Sequence, residues 1–337
     1  MAANISVVNI GGRQIVEAMY ANNPAWHGLG TVFDPGGDKA FTSEEAIVGG
    51  HLGWTTSLQE LRTADGVTVK DYFGIRRDDT KDILGIVGKR YRPHQNVDAF
   101  KFLDGLQQDG VMKYESVMAL KGGRRVVLLA RMPQVDTVAE GDSSLRYICF
   151  AMGHDGGMGI FIMPTSVRVV CANTLALALE SELKTHVKHT EHKDERLGEV
   201  AKWISQYNEK FTLFRDNAQK IASRQFNEDQ AREYLMTLFP EPKADATDRV
   251  KRNHTNLLDS IYGNLQHPSN QIPSIKGSWW QLFNAVTYHV DHQGRYRVAE
   301  EVQNKDAGRA EQRFLDVMHG SGAKLKDEAF NLAVAAA

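Results

Sequence analysis

Residues 113–132 read KYESVMALKGGRRVVLLARM, two apolar runs on either side of Gly122-Gly123. Val and Tyr side chains suit a pleated, half-buried surface, and a two-glycine step between such runs marks a tight hairpin. The spacing predicts strands over Lys113–Leu120 and Arg124–Met132. Working outward, β-prone runs recur over 55–63, 68–76, 83–92, 145–153 and 158–171, parted by short turns such as Asp65-Gly66 and Asp155-Gly156-Gly157. Parallel strands need crossovers of a dozen residues or more, so strands joined this closely pair antiparallel.

Helix signals flank these strands. Thr42-Ser43-Glu44-Glu45 spells a capping box ahead of a short helix through Val48 that stops at Gly49-Gly50. Asn96 is placed to cap a helix over 97–108. The first 40 residues read instead as a loosely structured arm ending in Trp26-His27-Gly28 and Pro35-Gly36-Gly37. Beyond residue 196 the texture changes. Leu197, Val200, Ile204, Tyr207, Phe211, Phe214, Ala218 and Ile221 alternate three and four apart, a heptad seam. An intramolecular helical hairpin and a helix packed on another subunit both fit that seam. Further helices are expected over 228–239 after Asn227, 248–265, 279–292 after Ser278, and around Gly320-Ser321-Gly322. The expected fold is α+β: an antiparallel sheet with flanking helices in residues 1–195, and a mostly helical 196–337 that is a candidate self-assembly region.

Composition sets limits on function. The chain has 337 residues, 42% hydrophobic and 24% charged, ordinary for a folded globular protein. Cys149 and Cys171 lie in apolar runs and read as buried, reduced thiols. No apolar stretch approaches the ~18–20 residues needed to cross a bilayer. The opening MAANISVVNI lacks a basic signal-peptide region, so a cytoplasmic location is expected. The net charge of −2 hides a contrast: residues 62–132 hold 14 Lys/Arg against 9 Asp/Glu, whereas residues 1–61 hold 2 against 6. The basic, strand-rich middle is where a polyanion would settle; a solvated mixed surface would look the same.

Signatures of bond chemistry are weak. Gly85-Ile86-Val87-Gly88-Lys89 lacks the spacing and hydroxyl of a phosphate-binding loop. Gly153–Gly159 is glycine-rich without the strand-helix-strand frame of a dinucleotide site. His186, His189 and His192 stand three apart, but the stretch reads as strand or loop and no cysteine or carboxylate ligand set joins them. No cofactor is expected. What remains is a cationic and aromatic surface: Lys89, Arg90, Tyr91 and Arg92 after one strand, and Lys121, Arg124 and Arg125 at the Gly122-Gly123 turn. Arg168 joins them from Ser166–Glu180, SVRVVCANTLALALE, which reads as a strand turning at Asn173-Thr174 into a helix. Such cations track phosphates while Tyr91 or Tyr114 stacks on bases.

Several segments resemble the phage/plasmid-like protein family of unknown function, found in bacteriophages, plasmids and some bacterial chromosomes. They are PAWHGLG at 24–30, GIVGKRYRPHQN at 85–96, GGRRVVLLARMP at 122–133, SVRVVCANTLALAL at 166–179, WWQLFNAVTYHVDH at 279–292 and HGSGAKLKDEA at 319–329. Trp279 and Trp280 stand where the family pattern has one tryptophan. The resemblance implies a non-enzymatic single-stranded DNA binding and annealing protein of phage or plasmid recombination. Such a protein would act as a homo-oligomer, a ring or filament, beside a host or phage recombination partner and away from membranes. Two alternatives stand beside it: a metal-dependent nucleic-acid hydrolase using His27, His154 or the 186–192 histidines, and a host-interaction or anti-defence protein using the heptad seam.

Overall fold

The computed structural model describes residues 6–21, 31–33, 41–168, 170, 174–176, 185–187, 193–294, 296, 309, 312–313, 316–318 and 320–337, with the backbone alone at 100, 102–103, 168, 174–176, 185–187 and 193–205. In chain order, β1 (Val7–Ile10) and β2 (Arg13–Val16) form a small hairpin, followed by β3 (Ala18–Ala21), β4 (Thr31–Phe33) and α1 (Ser43–Gly49). Next come β5 (Thr56–Arg62), β6 (Thr68–Arg77), β7 (Ile83–Gly88) and α2 (Asn96–Gln108). A meander of β8 (Lys113–Leu120), β9 (Arg125–Ala139), β10 (Asp142–Gly153) and β11 (Ile160–Arg168) leads to β12 (Thr174–Ala176) and β13 (Thr185–Val187). The second half holds α3 (Lys193–Ala222), α4 (Glu228–Leu238), α5 (Asp248–Asn264), α6 (Trp279–Tyr288) and α7 (Ser321–Ala336). The fold is α+β, with the sheets in the first half and the helices in the second.

The large sheet runs β12-β11-β10-β9-β8-β3-β4, with β13 also on β11; β5-β6-β7 form a separate antiparallel sheet. Within β9 the apolar run alternates faces. Val126, Leu128 and Ala130 join one core with α1, α2 and α3, while Val127 and Leu129 join a second layer that includes Cys149 and Met318. Both faces are covered, so the strand reads as a continuous apolar run rather than an alternating one. Each large side chain fully buried this way contributes roughly 1.5–3 kcal/mol.

Several expectations change. The arm supplies β3, whose four residues are all buried, and β3 pairs antiparallel with β8 inside the main sheet. Four-residue strands leave too little sequence for a period to show. β3 and β4 pair in parallel, the one such pair among the described strands. β9 continues past Met132 to Ala139, with its register to β10 shifted around Pro133, which has no N–H to give the ladder. Gln95, not Asn96, is the N-cap residue of α2; the buried Asn96 amide donates to the Leu52 carbonyl at 2.9 Å and meets His154 Nε2 at 2.8 Å. Thr174–Ala176, expected to open a helix, is a strand on β11, where ladder pairing overrides the helix preference of Leu and Ala. Residues 24–28, 173 and 177–180 lie outside those described.

The heptad seam is used inside the chain over its described part. Tyr207 and Phe211 enter the core beneath the sheet; Phe214, Ala218 and Ile221 enter a second core built from α4, α6 and α7. These residues are therefore not available to grip another subunit or a host protein. Side chains at 197, 200 and 204 lie outside those described. Both tryptophans of the Trp279-Trp280 pair are buried, and Trp280 Nε1 donates to Asp142 at the β9–β10 turn (2.8 Å). The Thr42–Glu45 capping box forms as expected, and Asn227 forms another with Gln230.

Arg77, at the end of β6, is fully buried and clamps the small sheet to the large one. Its guanidinium donates to Glu17 (2.9 and 2.5 Å), to Asp79 (2.7 and 2.8 Å) and to the Gly122 carbonyl (3.2 Å). It also lies 4.2 Å above the Trp54 ring. Gly123, at φ +95°, leaves space for it: a Cβ there would sit 2.9 Å from Arg77 Nη1 and 3.0 Å from Trp54. Removing one partner of a buried ion pair strands the other charge, at a cost of about 3–5 kcal/mol. Arg77→Ala is expected to lower unfolding stability by that amount in urea titrations, whereas Arg62→Ala, at an exposed pair, should change it by less than about 1 kcal/mol.

Candidate nucleic-acid interface

The tip of the β10–β11 hairpin lies against β7. A Cβ on Gly85 would fall 2.1 Å from the Asp155 carbonyl oxygen, and one on Gly156 (φ +78°) 2.5 Å from a Val87 methyl. Only glycine allows the two backbones so close. Where they meet they leave a cleft of about 820 Å³, lined among others by Lys70, Tyr72, Lys89, Arg90, Tyr91 and Met158.

Of the eight residues expected on one surface, Lys89, Arg90 and Tyr91 line this cleft, and Arg92 lies beside it, donating to the Lys89 and Tyr91 carbonyls at 3.0 and 3.2 Å. Lys89 makes an exposed ion pair with Asp71 at 3.1 Å, a contact a phosphate can replace at little cost. Arg90 is exposed and has no ion pair among the described residues. Lys121 and Arg124 belong to the neighbouring turn. Lys121 is held at positive φ (56°), and the Arg124 carbonyl accepts the His154 N–H at 2.9 Å.

Arg125 is different. Its side chain is 13% exposed and its guanidinium is 2.5 Å from Asp155 Oδ1. It braces the hairpin rather than presenting a free charge. Arg168 is also set apart: Arg125 pairs with Gly153 at one end of β10, and Arg168 with Ser144 at the other. Nine residues at ~3.3 Å each put about 30 Å between those positions. In a meander, alternate turns share an end, and Arg168 closes a strand at the far one. Tyr114 cannot stack on a base, because it is 1% exposed and its hydroxyl donates to Asp104 at 2.8 Å.

Electrostatics at the hairpin follow from these contacts. Burial acts to raise the Asp155 carboxyl, but the Arg125 guanidinium and the Gly157 N–H together outweigh it and hold it below the usual carboxylate range. Burial, helped by the Asp155 charge, pushes the Tyr91 phenol well above its ordinary value. Burial alone pushes the Cys149 thiol up to about 12, which silences it as a nucleophile.

Two cleft residues escaped the sequence reading, Lys70 and Tyr72. Both belong to β6, with Asp71 at φ 65° between them. Their nearness in sequence was visible, but not that β7 would bring Lys89 and Arg90 beside them. The histidine readings gain no ligand set: among the described residues no three His, Cys, Asp or Glu side chains are placed to hold a metal. His154 is fully buried on Asn96 and packs edge-on to Trp54, and Asp291 is paired with the buried Lys326 at 2.7 Å. His189 and His192 lie outside the described residues. No described helix is long and apolar enough to cross a membrane.

Residues 83–312 match the family described as "Domain of unknown function (DUF932)". The chain belongs to that family. No curated protein and no solved structure matches it significantly. The matched range begins at the first residue of β7, so Lys70 and Tyr72 come from the segment before it, while Lys89, Arg90 and the 154–159 hairpin lie within it.

The Arg125–Asp155 contact has a signed pH dependence. A carboxyl whose folded pKa is depressed adds stability above its unfolded value and loses it as pH falls through the folded one. Asp155→Asn is therefore expected to lower the urea midpoint at pH 7. The gap to the parent chain should shrink as pH drops below about 4, the ordinary carboxylate range.

Proposed function

We propose that this chain is a non-enzymatic single-stranded DNA-binding protein that anneals strands in phage or plasmid recombination and works as a homo-oligomer. The observation that carries the reading is the cleft edge, where exposed Lys70, Lys89 and Arg90 surround the exposed ring of Tyr72. A cationic track beside an aromatic side chain is the arrangement that holds a single strand without reading its sequence. Annealing breaks and makes no covalent bond. It needs two strands held extended with their base edges free, and cations on an open rim supply the first requirement. Phage or plasmid origin rests on the motif resemblance alone. Self-assembly would have to use surfaces other than the 207–221 seam, which is spent inside the chain.

Phosphate neutralisation makes affinity salt-dependent, with a slope of about −0.7 per contacted phosphate on single strands. Titrating labelled oligo-dT by fluorescence anisotropy across a salt series tests the proposal. Lys70→Ala/Lys89→Ala/Arg90→Ala together should flatten the logarithmic salt slope by about 2, three contacts at that value. The fold should survive, since all three side chains are exposed. Absence of oligo-dT binding by the parent chain at low salt would end the proposal.

A further inference from the structure

We infer that Tyr72 is a stacking platform for one unpaired base of the bound strand, an inference that rests on the strand-binding proposal above. Tyr72 is 55% exposed although it sits within a β-ladder. Its cross-strand partner is Gly88. Nothing in the fold demands glycine at that position: Gly88 is not among the positive-φ residues, and an added Cβ would meet nothing closer than the Asp71 carbonyl oxygen at 3.9 Å. Gly85, three residues earlier, is the opposite case, required by the approach of Asp155. What Gly88 does is leave Tyr72 without a facing side chain. Diagonal to it, Ile86 is 61% exposed and extends the same apolar ledge.

The surroundings select the occupant. Lys70 precedes Tyr72 by two residues on β6, and both line the cleft. Lys89 and Arg90 directly follow Gly88 across the ladder. Asp71, between Lys70 and Tyr72, takes a left-handed backbone (φ 65°) and accepts the Lys89 N–H at 3.0 Å, which fixes the two strands together at this point. An uncovered aromatic ring with one cation on its own strand and two just past the neighbouring strand matches a base with its neighbouring phosphates. Duplex DNA, whose bases are stacked on one another, offers no face to it.

The test compares oligo-dT, an abasic strand of equal length and a duplex, each titrated into the full chain by anisotropy. Stacking of one base corresponds to an affinity difference of roughly five- to 150-fold. Tyr72→Ala should lose about that factor on oligo-dT and nothing on the abasic strand, while Tyr72→Phe keeps parent affinity. Gly88→Val should imitate Tyr72→Ala with an unchanged unfolding midpoint, because it places a side chain opposite Tyr72 at a position where the added Cβ meets nothing closer than 3.9 Å. If the parent chain binds oligo-dT and Tyr72→Ala binds it equally well, the platform is overturned and strand binding stands. If the parent chain prefers the duplex, or binds abasic and dT strands alike, the platform is likewise overturned. If it binds none of the three, both proposals fall.

Discussion

One buried guanidinium holds the two sheets together. Arg77 reaches from the end of β6 to Glu17 before β3, to Asp79, and to the carbonyl of the β8–β9 turn. All of its donors are satisfied, which is the condition under which a charge can remain in a core. The small sheet meets the large one at this clamp, at the approaches of Gly85 to Asp155 and of Gly156 to Val87, and through Leu84 in the shared core, and these hold β6 and β7 over the β10–β11 hairpin. The cleft is a consequence of that docking. Its rim cations Lys70, Lys89 and Arg90 remain in water, whereas Arg77 is fully buried.

The same division separates structural from available charge elsewhere. Arg146 is buried on Asp136, with its guanidinium 5.2 Å from the Phe211 ring, and so ties β10 to α3. Lys326 is buried on Asp291 and ties α7 to the end of α6. Arg125 belongs with these, although its place in a Gly-Gly-Arg-Arg run makes it look like a twin of Arg124. Arg124 closes the turn in a helical backbone conformation while Arg125 opens β9, so the two adjacent arginines do not share a fate. Here one is a brace and the other is exposed.

How much of this was legible varies by element, for identifiable reasons. The central meander could be read because apolar runs of eight residues and more are broken by glycine turns. The capping boxes at Thr42 and Asn227 are local chemistry and need no tertiary knowledge. β3 could not be read, because its burial comes from β8, nearly a hundred residues on. Thr174–Ala176 has a helical composition and is a strand only because β11 offers it a ladder. At the interface, the charges could be counted but their partners could not: Asp155 and Arg125 are thirty positions apart and meet across a register that sequence does not print. Tyr72 was hidden for the same reason, since its importance depends on what stands opposite it.

The long helix α3 has one further consequence. Its described stripe gives Tyr207 and Phe211 to the layer under the sheet and Phe214, Ala218 and Ile221 to the helical core. A single rod thus serves as the spine of two bodies, with less than one turn between its two commitments, Phe211 and Phe214. Severing the chain ahead of it would strip the first body of its aromatic floor, and severing it behind would leave the second without a wall. Either fragment would show water a surface that favours clumping over refolding. The two halves are consequently expected to melt together, since each core loses a wall when the shared helix unfolds.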